Sequence, residues 1–130
     1  MTVENMNRVV FTGDTLNIGG VGDFMEGNAN QMLHNIDLIS SFPGDTKIFC
    51  AHEFTLENLE FCAQVEGDNN PSINEFTEIY KRLINESNCS VPSLLENEKL
   101  YNVFLRCRTS SQLRYISGLD SPAQIVHFLN

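Results

Sequence analysis

The spacing of hydrophobic and polar positions changes near residue 53. Before that point, two short runs of β-branched, aromatic and aliphatic residues, 8–12 and 47–51, enclose a segment with helical spacing. Asn28 is a favourable cap for that segment, and its apolar positions are Met32, Leu33, Ile36 and Ile39. The pattern predicts a strand, a helix over about 29–41 and a second strand, which together form one βαβ unit of a layered α/β piece.

A glycine-rich stretch separates the first predicted strand from the helix. Residues 17–28 contain four glycines, which are Gly19, Gly20, Gly22 and Gly27. Glycine allows a chain to turn sharply or to approach a ligand closely with its backbone. We therefore predict an irregular loop here.

The chain is predicted to be helical after Glu53. Thr55 is expected to cap a helix that ends near Val65. Phe54 would precede this cap and pack on Leu59, which is the spacing of a hydrophobic staple.

Three further helices are predicted towards the C-terminus. Asn70 and Pro71 occupy the cap and first positions of one of them. Its apolar face contains Ile73, Phe76, Tyr80 and Leu83. Residues 93–96 match a capping box before a short helix that ends near Leu100, and a last helix is predicted over about 121–128.

These elements divide the chain into two pieces. The first, residues 1–53, is predicted to be α/β, and the second, residues 54–130, is predicted to be all-helical. Two strands with few partners would leave sheet edges and an apolar face uncovered. We therefore do not expect the first piece to be well ordered on its own.

Charge narrows the range of partners. Acidic residues outnumber basic residues by 17 to 8, so the formal net charge is −9. This charge argues against nucleic acid and anionic membranes as partners. No apolar run approaches the ~20 residues of a membrane span. Residues 1–8 lack the apolar core of a secretory signal, and the four cysteines show no CxxC spacing and are expected to be reduced. We expect a cytoplasmic location, with the mitochondrion as the alternative.

Two residues at strand ends are candidates for chemistry. Asp14 follows the first predicted strand, and His52 follows the second. Ligands gather at strand ends in layered α/β folds, and carboxylate and imidazole groups both bind metal ions. The residues alone also permit a turn cap at Asp14 and a structural histidine at position 52. His34 is expected on the surface and His127 at the end of the last helix, so neither is a candidate.

Several motifs run in order through nearly the whole chain. Residues 11–27 read FTGDTLNIGGVGDFMEG, and residues 42–69 read FPGDTKIFCAHEFTLENLEFCAQVEGDN. Further motifs are Val91-Pro92-Ser93, residues 102–108 and Asp120-Ser121-Pro122. Together they resemble glyoxalase II, the hydroxyacylglutathione hydrolase of the metallo-β-lactamase superfamily.

The resemblance implies a fold and a reaction. The family has a four-layer αββα sandwich with two divalent metal ions (zinc, iron or manganese) and then a small helical domain that helps to bind glutathione thioesters. A hydroxide between the metals hydrolyses S-lactoylglutathione to glutathione and D-lactate, which detoxifies methylglyoxal. Residues 1–53 would be an incomplete, C-terminal part of the sandwich, and residues 54–130 would be the helical domain, in a chain of α+β class.

The resemblance also implies roles for individual residues. Asp14 matches the aspartate that bridges the two metals, and His52 matches the histidine that completes one ligand set. The implied substrate-binding residues are Asp23, Phe24, Met25, Phe54 and Arg108. Among these, Arg108 falls where the family has a basic residue near the carboxylates of glutathione.

The chain departs from the family pattern in important places. It contains no HxHxDH motif, which supplies most of the family's metal ligands. Asp14 and His52 alone cannot form a two-metal site, because a zinc ion needs about three or four protein ligands. Asp23 stands where the family has a basic residue, and Met25 and Phe54 stand where tyrosines are common. We expect weakened contacts with glutathione and no activity of this chain alone.

Three interpretations therefore remain open. The chain is the C-terminal part of a glyoxalase II-type hydrolase whose complete form performs the reaction. Alternatively, it is a catalytically inactive binding or assembly module derived from that family. In the third interpretation it is one half of a split enzyme, and a partner chain supplies the missing N-terminal half.

Overall fold

The fold mixes α-helices and β-strands. The computed structural model describes residues 8–23, 27–110, 121, 124–125 and 129. The elements in chain order are β1 (Val9–Gly13), β2 (Leu16–Asn17), β3 (Gly20–Val21), α1 (Ala29–Ser40), β4 (Lys47–Cys50), α2 (Thr55–Glu66), α3 (Pro71–Asn85), β5 (Ser93–Leu94) and α4 (Leu95–Tyr101). A 3₁₀ turn, Gly67–Asn69, joins α2 to α3. None of the helices in these ranges is long and apolar enough to cross a membrane.

The main sheet has three strands in the order β1–β4–β5. β1 runs parallel to β4, with Val10 opposite Ile48, so the predicted βαβ unit is confirmed. β5 runs antiparallel to β4, with Ser93 opposite Ile48. The prediction of an all-helical chain after Glu53 is therefore wrong, because Ser93 and its neighbour complete a sheet that begins in the first piece.

The predicted capping box at residues 93–96 is also wrong. Ser93 is a buried strand residue, and α4 begins two residues later with Leu94 as a cap that makes no side-chain hydrogen bond. A Ser-x-x-Glu spacing describes local preference only. Here the backbone pairing with β4 takes precedence over it.

The glycine-rich stretch is more ordered than predicted. β2 and β3 form an antiparallel hairpin in which Leu16 lies opposite Val21 and Asn17 opposite Gly20. Gly19 lies in the turn with φ of +77°, a conformation that residues other than glycine strongly disfavour. The glycine therefore makes a tight hairpin in a segment that the sequence pattern marks as irregular.

The helix starts show where local signals are sufficient. Asn28 accepts a hydrogen bond from the Gln31 N–H, and the Gln31 side chain accepts one from the Asn28 N–H, so the predicted cap is confirmed. Thr55 is not a cap. Phe54 occupies the cap position, and the buried Thr55 hydroxyl lies 2.6 Å from Ser90 Oγ.

The cap position of α3 is as predicted, but its chemistry is not. Asn70 is the cap residue and Pro71 is the first helical residue. The Asn70 side chain donates to the Leu100 carbonyl at 2.8 Å instead of accepting from its own helix. In the predicted last helix, Gln124 and Ile125 are helical.

Two hydrophobic clusters connect the predicted pieces. The larger one joins the hairpin turn and α1 to α2, α3 and α4 through buried residues that include Ile18, Met32, Leu59, Ile73, Tyr101 and Val103. The smaller one contains Leu16, Ile39, Ile48 and Leu95. Because each cluster takes residues from before and after position 53, the two pieces share their cores.

One face of the main sheet stays open in the described part of the chain. Val9 is half-exposed, and Phe11 is 79% exposed. The Phe11 ring lies against Phe49 of β4 on the same face, with centroids 5.4 Å apart. The neighbouring Val10 packs instead against the smaller cluster. The sheet thus has one covered face and one uncovered apolar face.

Candidate functional site

Asp14 lies in the turn that directly follows β1. The Thr15 N–H donates to the Thr12 carbonyl at 3.0 Å and closes this turn. The Thr12 hydroxyl donates to the Leu16 carbonyl at 2.7 Å. These bonds fix the backbone on both sides of Asp14, while its side chain remains 74% exposed.

His52 follows β4 and meets Asp14. The Ala51 N–H donates to the Gly13 carbonyl at 3.1 Å, which ties together the ends of the two parallel strands. His52 Nε2 lies 2.9 Å from Asp14 Oδ1. The structure therefore brings together the two residues that the sequence places at strand ends, because parallel strands finish at the same edge of a sheet.

Aromatic stacking holds one side of the His52 ring. The Phe54 ring lies nearly parallel to it, with centroids 4.9 Å apart and an interplanar angle of 16°. Phe54 is half-exposed, so the stacked pair is open to solvent. Phe54, one of the predicted substrate-binding residues, is thus placed directly against His52.

Glu53, next to His52 in the chain, binds a segment that lies far along the sequence. Its carboxylate accepts hydrogen bonds from the Ser90 N–H at 3.1 Å, the Ser90 hydroxyl at 2.5 Å and the Val91 N–H at 3.3 Å. Sequence reasoning missed this role because the partners lie far along the chain. The bonds support the backbone that carries His52.

A cleft of about 800 Å³ opens beside Asp14 and the start of α1. Its lining includes Asp14, Thr15, Asp23, Asn28, Gln31 and His34. Asp23 therefore lies along the same cleft as Asp14, and the two carboxylates make it acidic. His34 is exposed as predicted. Its location in this cleft was not predicted from the sequence. The predicted site residues Phe24 and Met25 and the non-candidate His127 lie outside the described residues.

Arg108 lies elsewhere. Its guanidinium donates two hydrogen bonds to the Asp37 carboxylate of α1, both at 2.8 Å. These bonds raise the pKa of Arg108 further above its ordinary value. The pair lines a separate cavity of about 220 Å³ together with Leu33, Lys99 and Phe104. The structure does not bring Arg108 to the lining of the Asp14 cleft.

The donor set is too small for a complete metal centre. Across residues 8–23, 27–110 and the described positions near the C-terminus, no three His, Cys, Asp or Glu side chains converge to hold a metal ion. Asp14 and His52 offer one carboxylate and one imidazole. A structural or catalytic zinc takes about three or four protein ligands, so a resident metal pair does not fit the described residues alone.

The perturbed ionisable groups lie away from this site. Burial raises the pKa of the Cys62 thiol to about 12 and that of the Tyr80 hydroxyl to about 12. Burial also raises the pKa of the Glu98 carboxyl. Strong pKa shifts often mark functional sites, but here they mark the interior of the helical part.

Comparison with known proteins gives the family. A family model described as the hydroxyacylglutathione hydrolase C-terminus matches residues 53–129. The chain belongs to this family. The matched region starts immediately after His52 and contains every helix from α2 onward, so the family assignment covers the helical part, while Asp14 and His52 lie just before it.

Curated relatives extend the similarity into the first piece. The chain is 40% identical over 116 residues to a hydroxyacylglutathione hydrolase of Crocosphaera subtropica, which covers 89% of this chain and 44% of the relative. It is 37% identical over 121 residues to a hydroxyacylglutathione hydrolase-like protein of Gallus gallus (92% and 42%), and 39% identical over 109 residues to the Dictyostelium discoideum hydrolase (82% and 41%). The chain spans less than half the length of these relatives, and it corresponds to their C-terminal part.

Proposed function

We propose that this chain is the C-terminal region of a glyoxalase II-type thioester hydrolase. The complete protein would hydrolyse S-lactoylglutathione, or a related 2-hydroxyacyl glutathione, to glutathione and a 2-hydroxy acid. The observation that carries the proposal is the 2.9 Å contact between Asp14 and His52, in a chain of the hydroxyacylglutathione hydrolase family. A module without chemistry gains little from a carboxylate and an imidazole held together at an exposed strand edge.

In this proposal Asp14 and His52 are two of the ligands of a divalent metal centre. The family resemblance implies zinc, iron or manganese as the ion, and carboxylate and imidazole donors are compatible with these metals. The remaining ligands would come from the portion that the longer relatives have and this chain lacks. If the ligands are divided between the two portions in this way, fewer than three of them are expected in the described residues, as is found.

The open face of the main sheet is the proposed contact for that missing portion. Phe11 and Phe49 present aromatic rings there, and Val9 extends the apolar surface along β1. A second sheet over this face would complete a layered sandwich of the αββα type and bring further ligands to the strand edge that carries Asp14. The contact would be apolar, because these side chains contribute no charge.

The substrate contacts of the complete protein are also proposed. Phe54 would stack near the acyl group because it already lies against His52. Arg108 would bind a glutathione carboxylate only if that carboxylate replaced Asp37 as its partner. Asp23 disfavours a carboxylate in the cleft, and roles for Phe24 and Met25 rest on the family pattern alone. Weak binding of glutathione thioesters is therefore expected.

The proposal is tested by restoring the missing portion. The N-terminal part of the Crocosphaera subtropica hydrolase is fused to this chain at the start of their similarity, and hydrolysis of S-lactoylglutathione is measured with added Zn²⁺. We expect no turnover by the 130-residue chain and metal-dependent turnover by the fusion. Asp14→Ala and His52→Ala should each abolish this turnover.

Matched controls separate ligand loss from general damage. His34→Ala removes a histidine from the same cleft, and Asp23→Asn removes a carboxylate from it. His34→Ala should keep the turnover of the fusion, whereas Asp23→Asn should keep or raise it, because it removes a charge that repels the carboxylates of the substrate. A folded, metal-loaded fusion without turnover would reject the hydrolase proposal, and turnover by the 130-residue chain alone would reject the need for a missing portion.

One observation favours a second candidate, an inactive binding module. The carboxylates of Asp14 and Asp23 share a cleft, which opposes the anionic substrate of the hydrolase. Such a module would bind the missing portion through the open sheet face and still show no turnover in the fusion. A split enzyme would instead show turnover when the two portions are mixed as separate chains, and Phe11→Lys should prevent it.

A further inference from the structure

The turn of the β2–β3 hairpin is held by polar side chains of the helical part. On α2, Asn58 Nδ2 donates to the Ile18 carbonyl at 3.0 Å. The Cys62 thiol, one turn further along, donates to the Gly19 carbonyl at 3.2 Å. Two consecutive carbonyls of the turn are therefore bound by one helix.

The helix α4 and the residue after it bind the other side of the same turn. Glu98 Oε2 accepts the Gly19 N–H at 3.1 Å, and Asn102 Nδ2 donates to the Gly20 carbonyl at 3.2 Å. Asn102 also donates to Glu98 Oε2 at 3.1 Å, which joins the two side chains. We call the four side chains that bind this turn the loop anchor; they are Asn58, Cys62, Glu98 and Asn102.

The α4 side of the anchor is a buried and connected network. Glu98 and Asn102 have no exposed surface. The Tyr101 hydroxyl donates to Glu98 Oε1, and the Tyr80 hydroxyl lies 2.8 Å from the Tyr101 hydroxyl. Each Glu98 oxygen therefore has a partner. Buried polar networks of this kind rigidify a structure when every member is satisfied, and each lost member leaves a costly unpaired group.

A short path leads from the anchored turn to Asp14. Each hairpin strand contains two residues, so only two residues on each side separate the turn from the base of the hairpin. At the base, the Gly22 N–H donates to the Thr15 carbonyl at 3.4 Å. Gly22 also packs so closely on Asp14 that a Cβ atom there would collide with the Asp14 carbonyl oxygen. A displacement of the turn therefore reaches the backbone of Asp14 directly.

We propose that the loop anchor positions Asp14 against His52. The anchor fixes the hairpin turn to α2 and α4, and the hairpin base fixes the backbone that carries the Asp14 carboxylate. Its four members are positioning residues, and they do not contact the site. Their importance for catalysis rests on the proposed function, whereas the geometric coupling itself does not.

The experiment uses the isotopically labelled 130-residue chain without metal, at constant pH 8. NMR spectroscopy follows the Asp14 amide and the ring nitrogens of His52, whose Nε2 signal reports its contact with Asp14. Asn58→Ala removes the donor to the Ile18 carbonyl while keeping a good helix former on α2. Gln64→Ala is the matched control, since it makes the same change in side-chain class at an exposed position of α2.

We expect Asn58→Ala to shift both the Asp14 amide and the His52 Nε2 signals, and Gln64→Ala to shift neither. Glu98→Gln should stay close to wild type, because the amide oxygen still accepts the Gly19 N–H, whereas Glu98→Leu should reproduce the Asn58→Ala shifts. If Glu98→Leu does not fold, the Asn58→Ala comparison decides alone. Shifts confined to residues 18–20, with unchanged Asp14 and His52 signals, would overturn the proposal. The readout uses no substrate, so inactivity of the fusion protein would not affect this result.

Discussion

The edge of the main sheet and the helical interior differ in exposure and in chemistry. Asp14 and His52 lie at least half in solvent, and the aromatic face beside them is open. Glu98 and Tyr101 are completely buried and fully hydrogen-bonded. The residues with the strongest pKa shifts are therefore not those of the candidate site. A buried network and a solvent-exposed site perform separate tasks, one holding the backbone and the other presenting side chains.

The largest expected contrast concerns apolar side chains. Leu59 is fully buried in the larger cluster, and Leu38 on α1 is 56% exposed. We expect Leu59→Ala to lower the free energy of unfolding by about 2–5 kcal/mol through lost burial and a remaining cavity. Leu38→Ala should change it by less than about 0.5 kcal/mol. Urea denaturation measures both, and equal losses would contradict the difference in burial between the two side chains.

The pH dependence of stability should reveal the buried carboxyl of Glu98. Burial raises the pKa of Glu98 above its ordinary value of 4.5, although its hydrogen bonds to Tyr101 and Asn102 oppose this shift. The native state then binds the proton more tightly than the unfolded chain does. The resulting stability is fully present below about pH 4.5 and is lost as the pH rises through the raised native pKa.

Urea denaturation of wild type and Glu98→Gln between pH 4 and pH 8 measures this effect. The free energy of unfolding of wild type, relative to the variant, should fall as the pH rises. Glu96→Gln on the exposed side of α4 is the control and should show no such trend. A wild-type advantage that grows with pH would mean that the native state stabilises the charged carboxylate.

A smaller effect is expected for the ion pair between Arg108 and Asp37 of α1. Arg108 and Asp37 are both substantially exposed, so water and salt screen their attraction. A double-mutant cycle with Arg108→Gln and Asp37→Asn should give a coupling energy of about 0.2–1 kcal/mol. The Arg106–Glu66 pair, in which the Glu66 side chain is buried, should couple more strongly. The reverse order would show that burial does not control these pairs.

A small change in stability is also expected on the open sheet face. Phe11 is largely exposed and contacts Phe49 across the strand pair, so Phe11→Ser should lower the free energy of unfolding of this chain by about 0.2–1 kcal/mol. Thermal denaturation compares it with the buried-side variant Val10→Ser, which should be clearly less stable. A loss as large as that of Val10→Ser would mean that this ring is buried and not exposed beside Phe49.

The sequence was most informative where the signal is local or periodic. The Asn28 cap and the apolar stripe of α1 predicted that helix to within one residue. The meeting of Asp14 and His52 was predictable because both follow strands of one βαβ unit. Their roles as metal ligands remain a prediction, as do the substrate roles of Asp23 and Arg108 and the division at residue 53.

Other features depend on distant contacts and left no local pattern. Ser93 looks like a helix cap, and only its pairing with Ile48 makes it a strand residue. Glu98 has the appearance of a surface residue on a polar helix, yet its partners include Gly19, far earlier in the chain. Hairpin strands of two residues are also too short to show alternation.

The pairing of β5 with β4 has a consequence during protein synthesis. Lys47 pairs with Leu94, and α2 and α3 lie between them along the chain. The β1–α1–β4 unit therefore leaves the ribosome several seconds before β5 exists, at a synthesis rate of roughly 5–20 residues per second. During that interval the second edge of β4 is unpaired and open to other nascent chains. Pairing with β5 therefore closes this edge of β4 only after α2 and α3 have been synthesised.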